Sequence, residues 1–216
     1  MNDPSSPPHF DEDFRTGLRE LFRWRRDVRR FRSDPLPDGA IERYIGVACS
    51  SPSVGLSQPW RFVVVDDPGR RRRVIENFRS CNADALTDYT GELSARYAGL
   101  KLAGLREAPC HLAVFADHSA ATGKGLGRRT MPETVDYSVV AAIMSLWLTA
   151  RAEGVGTGWV SILDPAAIAA ILDVPESWRL IGYFCVGYPQ TEDDVPELER
   201  ADWEHRRAAV DFIYRR

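Results

Sequence analysis

LTARAEGVGTGWVS, residues 148–161, joins the end of a long apolar segment to the start of a short one, and the architecture turns on how it is read. Upstream, residues 133–153 are apolar on nearly every side at helical spacing, which requires burial in a core or in a subunit interface. Gly154 and Gly156 close that helix, and Thr157-Gly158-Trp159-Val160-Ser161 reads as a strand. Further on, Asp164 and Pro165 are the cap and first-turn residue of a short helix, and residues 180–186 form another strand before Gly187-Tyr188-Pro189. Towards the N-terminus, residues 61–65 and 111–115 supply two more strands. Few strands, long helices, no internal repeat and no dividing linker make this an α+β unit.

The N-terminal third begins with a Pro- and Ser-rich stretch, residues 1–10, expected to be mobile; residues 11–216 form the single domain. Phe14, Leu18, Leu21 and Phe22 recur at helical spacing, and residues 25–31 read as extended. Asp38 is the expected N-cap of a helix carrying Ile41, Tyr44, Ile45 and Ala48. A loop rich in Ser, Pro and Gly spans residues 50–59. Residues 70–107 read as helices broken at Tyr89-Thr90-Gly91, so residues 80–108 suit either a lid or a solvated helical face.

Composition excludes several classes of function. A net charge of −3 points to no polyanionic partner, so nucleic-acid binding is not favoured. Cys49, Cys81, Cys110 and Cys185 form no CxxC pair and read as buried free thiols of a reducing compartment. His9, His111, His118 and His205 lack metal-ligand spacing, and His111 reads as a structural histidine at a strand start. Neither a Gly-rich phosphate fingerprint nor a G-x-S-x-G elbow is present. The first ten residues lack the basic and apolar regions of a signal peptide, and the apolar run 139–150 is too short to span a bilayer. The expectation is a cytoplasmic protein that engages no membrane.

Two clusters remain. Arg25, Arg26 and Arg29 follow the first helix, and alternation in an extended segment separates their faces. Two guanidinium groups can grip a phosphate bidentately with Asp27 orienting one of them, and a solvated basic run is the alternative in so arginine-rich a chain. The loop PSVGLSQPW, residues 52–60, has small residues that let backbone N–H and hydroxyl groups approach a planar polar ligand; it reads equally as an ordinary loop.

Together these pieces resemble the nitroreductase superfamily of FMN enzymes. RRDVRRF (25–31) is similar to its arginine-rich entry motif, SPSVGLSQPWRFVVV (51–65) to its Pro-Ser loop running into a strand, and LTARAEGVGTGWVS to its buried helix, glycine turn and flavin-backing strand. The likeness spans residues 14–214, and three ordered motifs are more specific than any one. It implies a nitroreductase-like FMN-binding fold with a central mixed sheet flanked by helices, built as an intertwined homodimer. Within the superfamily the flavin-fragmenting dimethylbenzimidazole synthase branch is most similar, through the Asp of Arg-Arg-Asp-Val-Arg, Ser-Val-Gly in the loop and Gly-Trp-Val-Ser-Ile on the strand. Ordinary nitroreductases carry Asn where Leu56 stands.

The resemblance implies roles for particular residues. Arg25, Arg26, Arg29 and, from the tail, Arg206 would hold the FMN phosphate and ribityl end. Ser53 would reach the flavin from the partner subunit, Gly158, Trp159 and Val160 would back the ring, and Asp27 and Ser161 would carry the chemistry. Reduced FMN would be the substrate as well as the ligand and dioxygen the co-substrate, with no metal; a separate NAD(P)H-dependent flavin reductase is a candidate partner. Two rival readings are an NAD(P)H-dependent FMN nitroreductase or dehalogenase, and a non-catalytic flavin-binding or delivery protein.

Overall fold

The structure, a computed structural model, describes residues 7–99 and 104–216; part of the expected N-terminal mobile stretch (1–6) and part of the expected lid (100–103) lie outside the described residues. Four strands form one sheet in the order β1-β2-β4-β3: β1 is Trp60–Val64, β2 Cys110–Asp117, β3 Gly156–Val160 and β4 Trp178–Gly187. Every position of β2 is buried, as befits an inner strand covered on both faces. The sheet is antiparallel in every ladder, with Trp60 opposite Ala116, Leu112 opposite Phe184 and Gly156 opposite Gly187. The expected mixed sheet is corrected to that extent. Helix α7, Pro165–Leu172, lies in the connection between β3 and β4, which pair antiparallel. Among the described residues the one parallel pairing is an isolated bridge between Asp27 and Thr157.

Helices cover both faces. On one, α6 (Thr134–Ala152) packs Val139, Ile143, Leu146 and Trp147 against the sheet, together with Tyr44 and Ala48 of α2 (Ala40–Ala48). On the other, α7 and α3 (Pro68–Leu86) close over Phe115, Val160 and Tyr183. Burying an aliphatic chain such as Ile143 contributes about 1.5–3 kcal/mol, so these two layers hold the sheet rigidly beneath whatever lies at its edge. The outer stripe of α6 is not covered: Tyr137, Val140 and Met144 are 58%, 41% and 39% exposed. Helix α1, Glu12–Trp24, has no buried residue, and Phe14, Leu18 and Phe22 face outwards.

Among the described residues the remaining α-helices are α4 (Gly91–Gly99), α5 (Gly104–Glu107) and α8 (Glu197–Arg200). Asp164 caps α7 as expected, accepting the N–H groups of Ala166 and Ala167. Asp38 does not cap α2: Gly39 takes that position at φ +72°, without a side-chain cap, and the chain turns through the Ala40 N–H to the Pro37 carbonyl. Cys110 and Cys185 are buried as expected, Cys81 is half-buried, and Cys49 is exposed. Among the described residues no helix is long and apolar enough to cross a membrane.

Candidate functional site

The arginine-rich segment becomes a site because backbone bonds stitch it to the free edge of β3. After α1 ends, the Val28 N–H donates to the Thr157 carbonyl at 3.1 Å, and the Arg32 N–H to the Tyr188 carbonyl at 2.8 Å. Phe31 bridges Pro189, and the Trp147 indole N–H donates to the Arg26 carbonyl at 3.3 Å. Gly158 makes the approach possible, because a Cβ there would collide with the carbonyl oxygen of Val28. The backbone of residues 25–31 is therefore fixed before any side chain is considered.

Above that edge lies an open cleft whose enclosed part is about 60 Å³. Trp24, Arg26, Asp27, Arg29, Trp147 and Arg151 are among its lining residues. The guanidinium of Arg25 sits 4.8 Å over the ring of Trp147, which neighbours Trp159 and Phe184. Arg26 donates to the Arg23 carbonyl, but its Nε is buried without a partner. Burial lowers the pKa of Arg25 and of Arg26, and the charge of Arg206 lowers both further. Among the described residues no carboxylate oxygen lies within 4.0 Å of Arg25, Arg26 or Arg206, whereas Arg23 and Arg29 each have two such partners. Three like charges with a buried unsatisfied donor make a place for an anion.

Asp27 stands beside this cluster. One carboxylate oxygen accepts the Trp159 N–H at 2.7 Å, and the other is 4.0 Å from Nε of Arg29. Desolvation raises its pKa, against the opposing pull of the Trp159 N–H, Arg29 and Arg25. The side chain is still 38% exposed, because the cleft above it is open while protein surrounds it on the other sides. A ligand filling the cleft would strip that water and raise the pKa further.

The other expected site residues are dispersed. Ser161 lies just beyond β3 and is exposed, about 7 Å along the chain from Trp159. Of the three expected to back a flavin ring, Gly158 faces Val28, Trp159 packs with Phe184, and Val160 is buried in the core opposite. Their remaining free surface is small. Ser53 accepts the Gln58 N–H, and the neighbouring Val54 N–H donates to Ser138 on α6. Ser138 and Trp147 are separated by about 13 Å of helix, so a single chain does not bring Ser53 to the arginine cluster.

Some contributors were not foreseen. Arg151 enters the cleft from the end of α6 and pairs with Glu192 at 2.5 Å, and Glu197 lies 3.9 Å from Arg29. Residues 192–199 are rich in Asp and Glu, but nothing in their spacing says that they fold back over the arginines. Arg128, in the loop before α6, donates to the carbonyls of His118 and Ala120, both at 2.7 Å. His111 is structural as expected: it is buried with Nδ1 2.8 Å from the Tyr183 hydroxyl, and burial drives its pKa down to about 4. No cluster of metal-ligating side chains occurs among the described residues.

The chain is 54% identical over 200 residues to a 5,6-dimethylbenzimidazole synthase of Rhodospirillum rubrum, covering 93% of this chain and 95% of the relative. A Rhodobacter capsulatus protein of the same name is 45% identical over 196 residues, covering 91% of this chain and 95% of its own. Among solved structures, an oxidised iodotyrosine deiodinase bound to FMN and 3-iodo-L-tyrosine superposes with a TM-score of 0.67 at 26% identity, over 82% of this chain and 91% of that one. The description "Nitroreductase family" matches residues 22–188, a span that contains the arginine segment, the Ser53 loop and all four strands, and the chain belongs to the nitroreductase family.

Proposed function

We propose that this protein is a 5,6-dimethylbenzimidazole synthase acting on reduced FMN and dioxygen. The observation that carries the reading is the 54% identity over nearly the whole chain to a protein of that name, because the fold alone is shared by enzymes of several activities. The site fits a flavin mononucleotide. The unpartnered Nε of Arg26, with Arg25 and Arg206 beside it, suits a phosphate, and the Trp24 and Trp147 rings offer apolar surface within the same cleft. When bound, reduced FMN would supply both electrons and atoms: its reaction with dioxygen would give 5,6-dimethylbenzimidazole and erythrose 4-phosphate, with the remaining pyrimidine-ring atoms of the flavin leaving as a separate oxidised fragment.

The chain's own residues then have distinct tasks. Arg25, Arg26 and Arg206 hold the phosphate, and Arg29 orients Asp27. Asp27, with its raised pKa and fixed by the Trp159 N–H, holds and moves a proton beside the ribityl chain. Ser161 donates a hydrogen bond to the ring, and Ser53 reaches it from the second subunit of a homodimer. Helix α4 excludes water as part of a lid; Tyr97 anchors it through a 3.1 Å bond to Asn82 and stacking on Tyr89, and Arg96 pairs with Asp202 of the tail. Electrons come from a separate NAD(P)H-dependent flavin reductase, and the setting is the cytoplasm.

The test is anaerobic reduction of the FMN-loaded protein, exposure to air and mass spectrometry of the small molecules. The expected product has the mass of dimethylbenzimidazole and is absent from an Asp27→Asn variant that still binds FMN. Recovery of intact FMN alone overturns the reading. NADPH consumption with a nitroaromatic or halogenated phenol would then separate a reductase from a flavin carrier.

A further inference from the structure

Arg29 is nearly enclosed, with 12% of its side chain exposed, and its Nε stands between two carboxylates: Oδ2 of Asp27 at 4.0 Å and Oε2 of Glu197 at 3.9 Å. Glu197 opens α8, which the chain reaches through the acidic run 192–196. Neighbouring charges of that run are already paired, Glu192 with Arg151, Asp193 with Arg200 and Asp194 with Arg23. Glu197 is thus the carboxylate that the fold delivers to the Asp27–Arg29 pair.

Resting on the synthase reading, we propose that Glu197 is a positioning residue: by competing with Asp27 for Arg29, it keeps the Asp27 carboxyl able to hold a proton. Two effects act in the same direction. A second negative charge near Asp27 disfavours its ionised form, and an arginine shared with another carboxylate stabilises that form less. The charged and titratable groups facing Asp27 are Arg25 and Arg29 on its own segment, Glu197 on α8 and Cys185 on β4. β3 supplies only the Trp159 N–H and the Thr157 bridge. Cys185 remains a neutral thiol because burial pushes its pKa up, so Glu197 is the one anionic group of the set.

The test is a carbon-13 NMR titration of aspartate-labelled, FMN-free protein, with the Asp27 carboxyl assigned by its loss in Asp27→Asn. Glu197→Gln is expected to move the Asp27 midpoint to lower pH, and Glu197→Asp, whose shorter side chain stands farther from Arg29, to move it partway in the same direction. In FMN-loaded protein, the limb of the pH profile for dimethylbenzimidazole formation governed by Asp27 is expected to shift the same way in Glu197→Gln. An unchanged midpoint in a folded Glu197→Gln protein overturns the inference, whether or not the enzyme is a synthase. A shifted midpoint without product in wild type supports Glu197 and refutes the synthase reading instead. Should Glu197→Gln fail to fold, Glu197→Asp decides: a longer gap to Arg29 lowers the midpoint partway, and no change overturns the proposal.

Discussion

The carbonyl oxygen of Val28 occupies the space in which residue 158 would carry a Cβ, and residue 158 is glycine. The obstacle is backbone, so neither side can yield cheaply. Gly158→Ala is expected to lift residues 25–29 from the β3 edge and to lower stability by about 1–3 kcal/mol, the usual cost of overpacking. It should also break the Asp27 bond to the Trp159 N–H and with it FMN binding. Urea unfolding and an FMN titration on the same protein check both effects; unchanged binding would show that the stitching does not position the cluster.

The arginine cluster makes opposite demands on the free and bound protein. Without an anion, Arg25, Arg26 and Arg206 repel one another; with a phosphate among them, each would contribute a charge-assisted bond under the proposed function. Arg206→Ala is therefore expected to leave the ligand-free melting temperature unchanged or slightly higher. Arg26→Ala should weaken FMN binding by roughly 10- to 100-fold, the equivalent of about 1.5–3 kcal/mol for a bond to a charged group. Riboflavin, which lacks the phosphate, should bind both variants and wild type alike in flavin-fluorescence titrations. An equal loss for riboflavin would place the arginines elsewhere than at the phosphate.

How much of this was legible in the sequence depends on range. Local chemistry read well: the Asp164 cap, the glycine stop after α6 and the extended arginine segment depend on neighbours within a few residues. Asp38 failed as a cap because Gly39 can adopt the left-handed turn that starts α2, which removes the need for a side chain. Strand direction was missed because a connection long enough to hold a helix, such as residues 161–177, permits either parallel or antiparallel pairing. The pairing of Arg29 with Glu197 spans most of the chain, and no spacing rule reaches that far. Ser53 and Ser161 were named through resemblance, and one chain alone leaves them apart from the arginines.

His111 links pH to stability in a direction that can be worked out. Burial, with the charge of Arg71, lowers its folded-state pKa from 6.5 to about 4. The unfolded chain therefore takes up the proton first, and stability falls as pH drops from about 6.5 towards about 4. The full effect is about 3 kcal/mol at 1.36 kcal/mol per unit, to within a factor of two. His111→Gln keeps a polar partner for the Tyr183 hydroxyl and should flatten that part of the profile while lowering stability at neutral pH. Chemical denaturation between pH 4 and 7 is the measurement.

The uncovered stripe Tyr137, Val140 and Met144 lies on the same helix that carries Ser138 near one end and Trp147 near the other. A second copy packed against that stripe would bury it and could bring its own Ser53 loop to the arginine cleft of the first. Val140→Asp is accordingly expected to yield a monomer in sedimentation and to lose FMN, though Val140 touches neither cluster. Complementation asks the same question without disturbing the interface. Arg26→Ala damages the cleft and Ser53→Trp the loop, so each homodimer has two defective sites. In a mixed dimer one site inherits both damaged parts and the other inherits neither. Random exchange of subunits should therefore restore about a quarter of the wild-type FMN sites, since half the dimers are mixed and each regains one site of two. Mixing that restores nothing, with subunit exchange verified, would mean that each chain builds its flavin site alone and that the Ser53 loop serves only to pack against α6.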